Sequence, residues 1–185
     1  MKFLEFGDMK KEPYLSINVN GRVPAIEDPN TGITLWESGA IIEYLVETYD
    51  KSSTLTYATT KERFLLKQWL YFQMSGQGPY YGQAAWFSFF HPEKIEGAVT
   101  RYRDQVLRVI SVLNRQLEGR EYLVGDKATY ADLAFVPWNA NVHGLLGPDF
   151  DAAKDYPNFA GWHKRITERL AVAKVLKAKI EASKH

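Results

Sequence analysis

The chain contains no cysteine. That excludes disulfides, thiolate metal sites and a cysteine nucleophile supplied by the protein itself. Histidine is sparse: His91, His143, His163 and His185 are scattered without ligand spacing, so no metal site is expected. Neither sign of charge is in excess, since 23 Lys and Arg against 22 Asp and Glu leave a net charge of +1. No field for nucleic acid or an anionic membrane follows from that balance. No apolar run reaches the roughly 18 residues of a membrane span. The N-terminal MKFLEFGDMKKEP has no uninterrupted apolar core and does not read as a signal peptide. A cytoplasmic address is the expectation. What is present is ample burial: 185 residues, 45% hydrophobic and 14% aromatic, suit one average domain or two small ones and offset the entropy of ordering.

Lys2–Phe6 alternates apolar and polar residues and reads as a short strand. Residues 8–16 carry a lysine pair and Pro13 and allow a short helical turn. Asn18-Val-Asn-Gly21 is a turn signal, and Val23-Pro-Ala-Ile26 a strand with proline at its start. Asp28-Pro-Asn-Thr-Gly32 predicts a hairpin loop joining 25–28 to 33–36 as antiparallel neighbours. A helix is expected from Ser38, because Ile41, Ile42, Leu45, Val46 and Tyr49 recur at helical spacing. The polar stretch 51–58 reads as a linker. Beyond it the pattern is helical throughout. A nearly all-round apolar helix runs from Thr59 to about Ser75 and is broken by Gly76, Gly78 and Pro79. Pro92 opens a long helix ended by Gly119. Thr129-Tyr-Ala-Asp132 reads as a capping box, Pro157 opens a further helix, and the tail from Ala171 is a final amphipathic one.

Asn18-Val-Asn-Gly-Arg-Val-Pro-Ala-Ile26, followed by Leu35-Trp-Glu-Ser-Gly-Ala-Ile-Ile42, resembles the second half of a thioredoxin-like glutathione-binding domain. Gln73–Pro79 and Gly82–Trp86 resemble the fungal nitrogen-regulator-like branch of the glutathione transferases and its bacterial relatives, and Thr129–Asp132 resembles the family's helix cap in the helical domain. The resemblance covers nearly the whole chain. It implies an α/β N-terminal thioredoxin-like domain, truncated, over 1–50, a linker over 51–58, and an all-α C-terminal domain over 59–185. It also implies glutathione as ligand. The Val23–Pro24 peptide is expected to be cis, with the Val23 backbone pairing with the cysteinyl unit like an added strand. Ser38 at a helix start suits the γ-glutamyl carboxylate, and Glu37 the γ-glutamyl ammonium. Arg22 is expected either to hold the glycyl carboxylate or to brace the loop, with Lys10 or Lys11 as a second candidate for that terminal charge. Each residue also has a bland reading: an N-cap for Ser38, an edge-strand proline for Pro24, solvated charges for Glu37 and Arg22. At this combined spacing the binding reading is preferred.

The aromatic stretch Tyr80–Phe90 reads equally as core or as an acceptor pocket. The resemblance implies that Tyr81, Trp86 and Phe87 line that pocket, with Trp138, Asn139 and His143 on its far wall. The family's first strand and helix, which carry its thiol-stabilising residue, have no counterpart. A shortened chain, re-pairing of Lys2–Phe6 into the vacant slot, and exchange with a partner chain all explain this; a shortened chain whose first strand re-pairs is favoured. No catalytic residue is assigned, and Tyr81 or a helix dipole is left to activate the thiol. The implied activity is addition of the glutathione thiolate to a hydrophobic electrophile. The outcome is conjugation or cis–trans isomerisation of a conjugated alkene, in detoxification or specialised metabolism. Glutathione-dependent disulfide reduction and a non-catalytic regulatory role are the alternatives. A homodimer through helices 39–49 and 60–75 is expected.

Overall fold

The computed structural model describes residues 4, 5 and 7–182. These fall into two compact units, Met1–Thr54 and Leu55–His185. The strand expected over Lys2–Phe6 lies largely outside the described residues; Leu4 and Glu5, which are described, belong to no strand.

The first unit is small and polar. A 3-10 turn (Asp8–Lys10) and α1 (Tyr14–Ile17) lead to a two-stranded antiparallel hairpin of β1 (Ala25–Asp28) and β2 (Ile33–Trp36), then to α2 (Ser38–Tyr49). The hairpin takes the boundaries read from its loop. Asp28 explains this: its carboxylate accepts the Asn30 amide at 2.9 Å, and its carbonyl accepts the Gly32 amide at 2.8 Å. Gly32 supplies the positive φ of 74° that closes the loop. The register pairs Ala25 with Trp36 and Asp28 with Ile33. Two four-residue strands bury too little to stand alone, and α2 is tied to them by polar contacts. The Asp28 carboxylate accepts the Tyr44 hydroxyl at 2.6 Å and also that of Tyr49. These phenols hold the Asp28 carboxyl below its ordinary value.

The second unit is helical, and its first helix does not stop where glycine and proline were expected to end it. From α3 (Thr60–Phe72) the chain passes through a π-helical turn (Gln73–Gln77) into α4 (Gly78–Ala85) and a second π turn (Trp86–Phe90). In the first π turn the Gly78 amide bonds back five residues to Gln73; in the second the His91 amide bonds to the Trp86 carbonyl at 2.8 Å. A wide turn absorbs the amide that Pro79 lacks, so the helix continues. Pro92 does not open the next helix either. It lies in the connecting loop, and α5 (Glu96–Gln116) begins four residues later. Then follow α6 (Tyr130–Ala134), α7 (Val136–Asn139), α8 (Val142–Leu146), α9 (Ala152–Asp155), α10 (Pro157–Thr167) and α11 (Leu170–Ala182).

The core of this unit is built by α3, α4, α5, α6 and α10. Leu66, Leu70, Val106, Ile110, Leu113, Phe135, Trp162 and Ile166 are fully or almost fully buried. Linker residues 55–57 belong to it. The Leu55 carbonyl accepts the Tyr130 amide at 2.9 Å, and the Tyr57 hydroxyl donates to Asp126 at 2.7 Å while accepting the Asp126 amide at 2.9 Å.

One buried carboxylate organises the centre. Asp132, without solvent exposure, accepts from the Thr129 amide (2.9 Å), the Thr129 hydroxyl (2.8 Å), the Leu123 amide (3.0 Å) and the Trp162 indole N–H (2.9 Å). Thr129 and Asp132 form the capping box that the sequence predicted. Asp132→Asn turns an amide NH2 toward donors and is expected to destabilise the protein by about 2–4 kcal/mol. That corresponds to a fall in Tm of roughly 10 °C, read by calorimetry against the parent chain.

Candidate functional site

In the first unit the sheet register brings the two sequence motifs together. Ala25 pairs with Trp36 at the open end of the hairpin, so Val23–Pro24 lead into the same end from which Glu37 and Ser38 lead out. The Val23–Pro24 peptide is cis. Val23 is 58% exposed, and among the described residues no hydrogen bond engages its backbone.

Glu37 has φ 72° and ψ 115° and precedes the first residue of α2. Ser38 is therefore that first residue and not the N-cap, which corrects its bland reading. The Ile41 amide is the first to bond within the helix, to the Glu37 carbonyl at 3.0 Å. The amides of Gly39 and Ala40 thus point out of the helix start, where the positive dipole end lies. A glutamate with positive φ outside the left-handed helical well is strained, by about 1–3 kcal/mol. The two hydroxyl clamps on Asp28 and the burial of Ile41 and Gly39 hold the turn in place.

The loop leading to Val23 is held by a residue that sequence reasoning used only as a turn signal. Asn18, 2% exposed, donates to the Arg22 carbonyl at 2.6 Å and accepts the Asn20 amide at 2.9 Å. Tyr14 donates to the same carbonyl at 2.7 Å. Gly21, at φ 58°, lies where a Cβ would come within 2.7 Å of the Met9 carbonyl oxygen. The side chain of Arg22 is exposed. Lys10 donates to the Asn20 carbonyl at 3.1 Å, so its ammonium braces this loop.

In the helical unit the residues expected to line a pocket separate into two groups. Tyr81 is fully buried, unlike a lining residue. Its ring meets Trp138 edge-on at 6.2 Å, and its hydroxyl has no hydrogen-bond partner of good geometry. Burial pushes the phenol well above its ordinary value, against a small opposing pull from Gln77. It therefore stays neutral and is shut off from solvent, unlike the pocket-lining position expected for it. Trp138 is half-buried, and its indole lies over the space left by Gly78 and Gly82. Under it runs a buried amide chain: Gln73 donates to Gln77 at 3.2 Å, and Gln77 donates to Asn139 at 2.7 Å. Glutamine at i and i+4 on a wide turn left no pattern by which sequence alone would find it.

Trp86 is 47% exposed and stacks on Phe90 at 6.5 Å. Phe87 lies flat between Tyr102 (5.5 Å) and His91 (5.2 Å). His143 is exposed on α8, edge-on to Phe150 at 5.6 Å. Burial, together with repulsion from the nearby His143, holds the His163 imidazole below its ordinary value. Among the described residues no group of three or more His, Asp or Glu is placed to hold a metal ion, and no helix is long and apolar enough to cross a membrane.

Comparison with known proteins gives the family and the fold. The family profile "Glutathione S-transferase, N-terminal domain" matches residues 1–47, and "Glutathione S-transferase, C-terminal domain" matches 79–169. The Aspergillus fumigatus "Glutathione S-transferase-like protein tpcF" is 47% identical over 175 residues, covering 89% of this chain and 78% of its own. The structure of glutathione transferase URE2P6 from Phanerochaete chrysosporium in complex with oxidized glutathione superposes with a TM-score of 0.92 at 46% identity, covering 97% of this chain and 84% of that one. Ure2p5 from the same fungus, cocrystallized with 1-(S-glutathionyl)-2,4-dinitrobenzene, gives 0.88 at 42% identity over 93% and 81%. The chain belongs to the glutathione S-transferase family, with the fold of its Ure2-like members.

Two measurements check the local physics. Glu37→Gly relieves the positive φ and is expected to raise Tm by a few degrees relative to Glu37→Ala, which keeps the strain; equal midpoints would remove strain from the account. For His163 the folded value lies below the unfolded one of 6.5, so the unfolded chain binds the proton first. Stability is full above that value and falls as pH drops through it, until the folded imidazole also titrates. His163→Gln is expected to flatten that part of the Tm–pH profile.

Proposed function

We propose that the chain is a glutathione-dependent transferase, with the tripeptide held in the first unit between the Val23 backbone and the start of α2. One observation carries the reading: the register pairs Ala25 with Trp36, so that Val23–Pro24 and Glu37–Ser38 flank the same end of the hairpin. An exposed backbone edge is thereby paired with an anion-binding helix start and a carboxylate. Val23 N–H and C=O would pair with the cysteinyl unit as an added strand. The Ser38 side chain and the outward amides of α2 would take the γ-glutamyl carboxylate. The Glu37 carboxylate, strained into place, would accept from the γ-glutamyl ammonium. Arg22 would take the glycyl carboxylate, with Lys10 as a second donor beyond its bond to Asn20.

Glutathione supplies a thiol nucleophile, so the absence of cysteine from the chain is no obstacle. Trp86, Phe87, Trp138 and His143 are the proposed walls for a hydrophobic electrophile. The reaction proposed is conjugation. Reversible addition with isomerisation of a conjugated alkene uses the same groups, because it needs only that the adduct revert. Binding of a dinitrobenzene conjugate by Ure2p5 supports an aryl acceptor, and the name of the tpcF relative supports transfer. The proposed setting is cytoplasmic. The proposed assembly is a homodimer using α2 and α3, on which Leu45, Tyr49, Phe64 and Tyr71 are exposed.

The test is calorimetry with reduced glutathione, together with conjugation to an aryl halide, disulfide reduction and isomerisation of a conjugated enone. Ser38→Ala and Glu37→Gln are each expected to weaken glutathione binding about tenfold, the scale of a lost charge-assisted hydrogen bond. Unchanged affinity in both variants would overturn the site. Binding without any of the three activities would favour a regulatory binder.

A further inference from the structure

Tyr14 and Asn18 stand one helical turn apart and act on a single atom. The Asn18 amide closes the last turn of α1 on the Tyr14 carbonyl at 2.9 Å. Side chains at i and i+4 share one helix face, so both reach toward the chain as it returns from Gly21. There the Tyr14 hydroxyl donates to the Arg22 carbonyl at 2.7 Å, and the Asn18 Nδ2 donates to the same oxygen at 2.6 Å. A carbonyl oxygen has two lone pairs, and two donors fill that capacity. Asn18 is itself pinned from both ends: its Oδ1 accepts the Asn20 amide at 2.9 Å, and its carbonyl accepts the Gly21 amide at 2.8 Å.

One donor would meet the hydrogen-bonding need of the Arg22 carbonyl. Two fix its direction, and the peptide plane carries that direction across to Val23. Among the described residues only the Glu12–Pro13 and Val23–Pro24 peptides are cis, so Arg22–Val23 is trans and planar. The Arg22 C=O and the Val23 N–H therefore point opposite ways. The oxygen is drawn toward α1, which turns the N–H away from it, and no group among the described residues accepts from that N–H. Donation to the oxygen also polarises the peptide and strengthens the N–H at its other end, by roughly 10–30% per bond.

We propose that Tyr14 and Asn18 are positioning residues for the cysteinyl unit of glutathione: through the Arg22–Val23 peptide they aim and strengthen the N–H that donates to the cysteinyl carbonyl. This role rests on the binding of glutathione at Val23 and acts through the backbone, so neither side chain need reach the ligand. The carbonyl of Arg22 carries the effect, and its guanidinium does not.

Calorimetry of the full chain with three thiols tests it. Glutathione and γ-glutamylcysteinamide both carry the cysteinyl carbonyl, and only glutathione carries the glycyl carboxylate. γ-Glutamylcysteamine keeps the γ-glutamyl group and the thiol but has no cysteinyl carbonyl. Tyr14→Phe deletes one donor and keeps the ring. It is expected to weaken glutathione and γ-glutamylcysteinamide alike, about threefold, within the scale of one hydrogen bond, and to leave γ-glutamylcysteamine at its parent affinity. Asn18→Ala should give the same pattern at about tenfold; should that buried position fail to fold, Tyr14→Phe decides alone. Equal weakening of all three thiols would mean a loop that has merely shifted and would overturn the proposal. So would a loss confined to glutathione, which places the effect on the Arg22 side chain, or no loss at all. A parent chain that binds none of the three removes the glutathione site itself, and this role with it.

Discussion

The helical unit depends on a carboxylate that no water reaches. Asp132 is tolerable there because four donors reach it; a carboxyl group buried without partners is otherwise strongly unfavourable. Its four hydrogen bonds reach three places: the helix start at Thr129, the preceding loop at the Leu123 amide, and, thirty residues on, the indole of Trp162 on α10. The indole is fixed at one edge by this bond and at its faces by Phe135 (6.1 Å) and Phe159 (5.9 Å). Phe135 in turn meets Phe72 (6.3 Å) and Trp69 (6.5 Å) of α3. One acceptor thus sets the depth and rotation of several helices, and dispersion across close-packed rings then fills the space.

The first unit solves the opposite problem. Its hairpin is too short to bury a core, and hydroxyls and amides do the positioning. Asp28 draws Tyr44 and Tyr49 of α2 onto the hairpin loop, and Asn18 draws the loop before Val23 into a tight turn. These bonds lie at or near the surface, where each is worth about 1 kcal/mol net. Several acting on one small element are needed to hold Glu37 in a conformation its Cβ resists. The strain sits where the functional reading needs a carboxylate aimed away from the helix it starts.

Local chemistry made some of this legible and tertiary chemistry hid the rest. The hairpin could be read because Asp28, Asn30 and Gly32 act on their own backbone, within five residues. The capping box could be read for the same reason, since Thr129 and Asp132 satisfy each other. The break expected at Gly76–Pro79 did not occur because an i to i+5 turn, which leaves no mark in hydrophobic spacing, accommodates a missing amide. Tyr81 was expected at a pocket wall on the strength of its aromatic neighbours. Its burial is decided by Trp138, more than fifty residues on, settling over Gly78 and Gly82. Glu37's positive φ was equally invisible, as a glutamate gives no hint of a backbone that glycine would prefer.

Burial of Tyr81 bears on how a thiol could be activated. A phenol held neutral cannot serve as a base, and the Tyr81 hydroxyl is buried and turned to no partner. On the proposed reading the first unit then offers chiefly backbone donors, the serine at the start of α2, and the field of that helix. Main-chain donors do not titrate between pH 5 and 8, whereas a side-chain acid or base would impose its own protonation on the nucleophile. A thiol poised by such a site is tuned by position and by a fixed dipole. That effect depends on where α2 begins, and α2 is the element that Asp28 and its two tyrosines hold in place.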